Sequence, residues 1–503
     1  MKKAIQFCVA LFLFSSVQGW SQTKIQILSS DVTDIVKGAG TSRTYYLRGN
    51  VGLRQDVAVM YCDSAVLRQP ENTFDAFGAV RIIQADTVKV TGKELHYSGD
   101  TKTFIMHRNV ELRTPSSILK TTSLVYDRNN TTAYYKTRSS LHRKNLILTS
   151  DVGTYNTQAE LVKLRGNVEA IDSSYQLYTD TLLYFPKRNT YDFAGPSKLL
   201  KDSTTIWCSQ GSYEADQTLL KLNGGAIMHA PRKKIKAESM LYNLRMDRGE
   251  LFNNAMVSDT AQGMVLQSNY IQYQKEPLYV DAFTPVLYRQ RMNNDTLRAL
   301  GDTLHIRATE NDDKRVHLFG NTSFYSDDFQ GRSNQFTYVS KTEELSLYPS
   351  PILWSSKSQF AADSGALKLT NEDLDSLYLL GNVRILNETK DTNFFDQVIG
   401  KRLEGKFFEN SLSSIRIEGN TECILHNTNN ADQVEGINQS ACSWLKLTFN
   451  EGSVSKVRLS RDVQATYLPL KDAETTKLSG CVPKFKERPL IHDFNTEAIS
   501  GLK

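Results

Sequence analysis

The chain has 503 residues, 40% of them hydrophobic, and its 60 Lys and Arg against 55 Asp and Glu leave a formal charge of only +5. That balance excludes the strong basic bias of a nucleic-acid binder. Six cysteines in so long a chain exclude a disulfide framework.

The first segment carries Lys2 and Lys3, an apolar stretch from Ala4 to Phe14, then small and polar residues to Gln22. It reads as an export leader over residues 1–21, removed before the mature protein folds. Cys8 lies inside the apolar stretch without the small residues of a lipid-attachment signal. No later run approaches the roughly twenty apolar residues of a membrane helix.

From residue 22 onward the chain repeats. Glycine recurs at Gly49, Gly78, Gly166, Gly195, Gly224, Gly320, Gly381 and Gly419, and Arg108, Thr137, Asn253, Ala282, Pro349 and Arg461 fill the same slot elsewhere. Between 49 and 282 the steps are 29 or 30 residues. A fixed period of this size marks an array whose units stack on their neighbours. Reading outward by twos from the slot gives apolar residues: Val162, Leu164, Val168 and Ala170 about Gly166, or Leu377, Leu379, Val383 and Ile385 about Gly381. The residues between them are mostly polar, as Lys163, Arg165, Asn167 and Glu169 show. Such alternation predicts a strand with one dry and one wet face. Glycine in mid-strand weakens it and calls for a bend or bulge.

A second strand follows each slot by roughly 16 to 18 residues, ending in tyrosine at Tyr97, Tyr126, Tyr184, Tyr242 and Tyr338. Polar turns such as SGDTK and DRNNT come next. The expectation is an all-β repeat of about fourteen two-strand units. They form a regular array over 22–287, a continuation with longer loops over 288–468, and a Pro- and charge-rich tail, a cap or flexible end, over 469–503. The longer steps after 282 place extra polar residues in RQRMNNDT, NETKDTNFFDQ and HNTNNADQVEG, read as surface loops.

Signals for chemistry are poor. The eight histidines never fall at zinc-ligand spacing, and GxSxG, P-loop and CxxC patterns are absent. Aspartates such as Asp63 and Asp180, opening the tyrosine strands, are read as turn chemistry rather than paired acid–base groups. The reading is of a non-enzyme without metal or cofactor. Cys423 and Cys442 flank one long loop at a spacing that permits a disulfide; the alternative is small buried residues on strands. The run Arg232, Lys233, Lys234 and Lys236 offers contacts to lipid phosphates, against the alternative of a solvated turn. The other candidate site is the dry face: Leu47, Val51, Phe74, Val80, Ile82, Phe104, Met106, Val110, Leu164, Val168, Leu222, Met228, Leu379 and Val383. Either these residues pack against a facing sheet or they line a greasy trough, and alternation is the same in both.

LRGNV at 47–51 and 164–168 and LLGNV at 379–383, each followed by a D-x-L-x-Y-like strand, resemble the OstA-like, LptA-type periplasmic lipopolysaccharide-transport proteins. The resemblance spans most of 24–468. It implies a periplasmic β-jellyroll (β-taco), associated with outer-membrane biogenesis, whose interior takes lipid A acyl chains. It also implies edge-strand docking to inner- and outer-membrane transport components and end-to-end self-association. The chain is much longer than one LptA module and lacks the outer-membrane barrel of the LptD partner. A structural envelope scaffold with a filled interior, and a carbohydrate-binding or carbohydrate-cleaving β-helix, are the rivals.

Overall fold

The computed structural model describes residues 24–495, apart from 41, 86, 294, 309–312, 372, 390–393, 410, 430–432, 451–452 and 474–475; the leader lies outside the described residues. Two units divide the chain, one reaching residue 173 and taking in 181–187, the other made of 174–180 and 188–503. Both are all-β repeat jellyrolls. In the first, Arg43–Gln55, Ala58–Arg68, Thr73–Gln84, Val88–Ser98, Thr103–Arg113 and Ile118–Asp127 pair antiparallel, each with the next. The second does the same from Thr190–Lys201 through Thr204–Glu214, Leu219–Ala230, Lys233–Asn243 and Arg248–Asp259 onward. Among the described residues no helix is long and apolar enough to cross a membrane.

The slot is a corner. Gly49 and Asn50 adopt φ of +71° and +44°, and the ladder shifts register between Arg48 and Val51. Two successive left-handed residues turn the strand, a conformation that glycine takes freely and asparagine tolerates. Gly166–Asn167, Gly320–Asn321, Gly381–Asn382 and Gly419–Asn420 repeat the pair, and Arg108–Asn109, Asn253–Asn254 and Arg461–Asp462 make it without glycine. Three slots depart from the expectation. Ala282 is an interior residue, and the register shift falls after it, between Phe283 and Val286. At Thr137 and Pro349 the strand is interrupted, with Thr132–Tyr135 and Ser139–Arg143, and Glu344–Tyr348 and Ile352–Ser355, as separate pieces.

The aspartates do more than make turns. A Cβ on Gly78 would overlap the Asp63 carboxylate, and one on Gly49, Gly320 or Gly381 would overlap that of Asp31, Asp302 or Asp363. Each carboxylate brackets the corner on the neighbouring strand by accepting hydrogen bonds. The Ala79 amide donates to Asp63 at 2.9 Å, Asn167 Nδ2 to Asp151 at 2.7 Å, and Asn382 Nδ2 to Asp363 at 2.9 Å. At Gly49, Gly78, Gly320 and Gly381 glycine is therefore favoured twice, by φ and by the carboxylate that occupies its side-chain space.

The corner gives each strand two arms, one carrying the tyrosine row and one the valine row. The expected surface loops after 282 are in part longer strands on the valine side. Ser411–Thr428 and Val434–Asn450 run to 18 and 17 residues, pairing Asn427 with Gly436 and His426 with Ile437. The polar insertions lengthen the hairpins because their backbone groups find partners in register. Val463, just before the last strand, Gln464–Pro469, is exposed.

The tail packs against the second unit. Leu478 and Cys481 join Leu386, Ile424 and Ile437 in one apolar cluster, and Phe485 stacks on Phe395 at 5.4 Å. Further on, Phe494 is fully buried against Leu287, with Leu300 and Tyr325 beside it. Arg289 donates to the Phe494 carbonyl at 3.0 Å, and the Lys484 amide donates to Gln359 Oε1 at 2.6 Å. The segment is a strap over apolar residues on the outward side of the valine arms.

Candidate functional site: the interior between the arms

The fourteen dry-face residues are all buried, none more than 5% exposed. They are covered by one another and by the tyrosine row. Phe74 stacks on Tyr97 at 5.0 Å and Phe104 on Tyr126 at 5.3 Å. At the arm tips of the first unit, polar groups reach across. Tyr97 donates its hydroxyl to Gln55, and Arg128 donates to the Tyr97 hydroxyl at 2.7 Å. Gln55 Nε2 donates to the Gly99 carbonyl at 3.2 Å. Arg143 pairs with Glu160 at 3.3 Å, and Lys102 with Asp56 at 2.8 Å. Burial pushes the Tyr97 hydroxyl above its ordinary pKa, so it stays a donor. The cavity left beside Gln55, Phe74, Tyr97 and Arg128 is only about 20 Å³.

The basic run does not form one cluster. Arg232, Lys234 and Lys236 are exposed. Lys233, beginning its strand at a valine-arm tip, crosses to Asp247 in the turn of the tyrosine arm and lies 4.5 Å from the Tyr273 ring centre. Its side chain is 13% exposed. Burial lowers the lysine pKa, with Asp247 opposing the shift. The same carboxylate accepts from Tyr242. Lys233 is a latch here, and its neighbours point outward.

Further along the second unit the interior opens. A cavity of about 340 Å³ has walls of Tyr288, Leu297, Phe324, Phe329, Phe336, Leu345, Leu367, Leu369 and Leu374. Its rim carries Gln262, Gln290, Arg291, Lys314, Ser340 and Glu343, and Lys314 donates to Gln262 Oε1 at 3.1 Å. Apolar walls beneath a polar rim bury the chain of an amphiphile while leaving its head wetted. None of the fourteen residues lies here. The period-two pattern does extend to these positions, as from Val286 to Tyr288, so the lining is readable as dry face; that it stands open is not.

Among the described residues no group of three or more His, Cys, Asp and Glu could hold a metal ion. Cys423 and Cys442 are free and buried: Cys423 lies opposite Ser440, and Cys442 opposite Thr421. The disulfide is absent because the two sit on different rungs. Burial pushes the Cys423 thiol up to about 11.

Stacked antiparallel rungs, bracketed corners and a dry interior between two arms define a repeat β-jellyroll with a sheltered apolar core. Residues 22–180 match the family described as OstA-like protein. One solved structure it is similar to is LptH from Pseudomonas aeruginosa, described as the LptA-homologous periplasmic component of the lipopolysaccharide transport device. That likeness has 10% identity over 27% of this chain and 82% of that one, with a TM-score of 0.15. No curated protein matches the chain.

Proposed function

We propose that this protein shelters the acyl chains of lipopolysaccharide or a similar lipid between its arms and helps carry that lipid across the periplasm to the outer membrane. The observation that carries the reading is the roughly 340 Å³ chamber, apolar in its walls and polar at its rim, in a chain whose residues 22–180 match the OstA-like family. Each buried methylene contributes about 0.8 kcal/mol, so a long acyl chain left in water costs on the order of 10 kcal/mol. A lipid with several such chains needs cover to cross an aqueous space. The fourteen dry-face residues would form the rest of the path. They are covered by neighbouring side chains, so a lipid moving along them must part the arms. Arg232, Lys234 and Lys236 remain outward cations for an anionic head, with Lys233 reserved for the latch.

Unpaired edges supply docking. Gln26–Ser29 and Val32–Lys37 pair only with Arg43–Gln55 among the described residues, and both are exposed throughout. Such an edge takes up a strand from a transport component or from a second copy. The work is binding, without a chemical step.

Native mass spectrometry of protein purified from the periplasm tests the reading. Wild type should carry lipid, and Leu367→Trp, which fills the chamber, should carry less. Lipid-free wild type, together with normal lipopolysaccharide export in a deletion strain, would remove the proposal. That result would favour the second reading, an envelope scaffold with a filled interior, which the latched arms of the first unit support.

A further inference from the structure

Next to the apolar chamber lies a second opening of different chemistry. It has a volume of about 640 Å³ and is lined by Asp327, Asp328, Glu409, Asn450 and the serines 355, 356, 358, 411 and 413, with Phe408, Phe449 and Arg488. The two share a partition. Phe329 is a wall of the chamber and follows Asp328 in the chain, and its ring meets that of Phe407 at 5.9 Å, edge to face. Phe408, the next residue, lines the cleft.

The groups in the cleft discriminate between headgroups. Among the described lining residues Arg488 is the one cation; its Nε donates to Gln330 Oε1 at 2.7 Å and its Nη1 to the Ser356 carbonyl at 2.7 Å. The three carboxylates outnumber it, so a phosphate or carboxylate head meets net like charge. The cleft is instead rich in groups that both accept and donate. Ser355 is 5% exposed, lines the cleft, and its hydroxyl makes no hydrogen bond among the described residues. A sheltered hydroxyl of this kind takes its partner from a ligand or from water. Burial and the nearby Asp295 and Asp327 raise the pKa of Asp328, and its carboxylate oxygens are acceptors for a ligand's hydroxyls. Phe408 is 69% exposed, an apolar plate beside these polar groups. A ligand with a hydroxyl edge and a carbon–hydrogen face satisfies all of them.

We infer that this cleft binds the uncharged, hydroxyl-rich head of a glycolipid, with a sugar ring over Phe408 and its hydroxyls on Asp327, Asp328 and Ser355, while the acyl chain of the same molecule enters the chamber behind Phe329. The inference rests on the lipid reading above and adds the class of head selected at this cleft, a place separate from the outward cations Arg232, Lys234 and Lys236. The strap takes part, because Arg488 forms one wall.

Equilibrium binding of dodecyl maltoside, dodecyl phosphate and dodecanol to the full chain, below their micellar concentrations, tests it. Dodecyl maltoside should bind about tenfold more tightly than dodecyl phosphate, a difference of about 1.4 kcal/mol. Phe408→Ala, and Asp327→Asn combined with Asp328→Asn, should weaken the maltoside and leave dodecanol unchanged; the double variant should also strengthen the phosphate. Leu367→Trp should weaken all three. Equal binding of maltoside and phosphate, unaltered by the cleft variants, would overturn this inference and leave the chamber standing. Absence of binding by any of the three would overturn both.

Discussion

The first unit and the stretch from Gln262 to Leu374 in the second are built from the same alternation, yet one interior is closed and the other holds a cavity. In the first, Tyr97, Gln55 and Arg128 meet across the arms and leave about 20 Å³. In the second, Tyr288, Phe336 and Leu367 stand around about 340 Å³. Both walls are mostly apolar, so hydrophobicity alone does not decide whether the space is open. The groups at the arm tips differ. In the first unit Tyr97 and Gln55 meet as buried groups over the core and hold the arms together. At the cavity the bond across the arms, Lys314 to Gln262 at 3.1 Å, is exposed at the rim, beside Arg291 and Glu343.

The comparison breaks most readily at the latches. Asp247→Asn leaves the Lys233 ammonium buried without a carboxylate, and the loss should be about 3–5 kcal/mol by chemical denaturation. Adding Lys233→Met should restore most of it, and a single variant with wild-type stability would mean that the latch closes nothing. Asp281→Asn should cost about 3 kcal/mol, since Asp281 is buried with Arg307, His305 and Tyr279 as partners. Burial alone would raise the pKa of this carboxyl, but its hydrogen bonds hold it below the ordinary 3.8. The advantage of wild type over the variant should therefore be complete above about pH 4 and fade as pH falls through the lower folded value. Melting temperatures of both proteins across that range check the sign, and an advantage that grew on acidification would refute the assignment.

Smaller effects sharpen the picture. Gly78→Ala combines a φ of +99° with overlap onto Asp63 and should cost about 2 kcal/mol. If Asp63→Ala in the same chain recovers none of that, the bracket is not what demands glycine. Lys102→Ala removes a partly exposed pair with Asp56 and should change stability by less than about 1 kcal/mol. A larger loss would show that exposed tip pairs hold the arms as firmly as buried ones.

Much of this architecture is legible in the chain. The recurrence of Gly49, Gly78 and Gly166 announces the corner, and period-two spacing assigns Val51, Met106 and Val168 to the interior. The bracket is harder to read. Asp63 and Gly78 stand fifteen residues apart, and an aspartate opening a strand looks the same whether it caps a turn or holds a corner. The latches are harder still, because Arg128 and Gln55 are 73 residues apart and ordinary as residue types. Ala282 misleads because the period continues through it while the bend moves on by two residues. The tail offers no periodicity, since a strap held by scattered side chains needs none. The cavity depends on the distance between arms, which alternation does not encode.

That strap has a consequence for the order in which the molecule is made. Phe494 leaves the ribosome about two hundred residues after Arg289, which it must meet 205 positions back. Until then Leu287, Ile424 and Ile437 wait without their cover, and contacts so distant along the chain form slowly. A nascent chain stalled before residue 478 would present those side chains to any holdase or protease it met. Completion of synthesis is thus built into the maturation of the second unit.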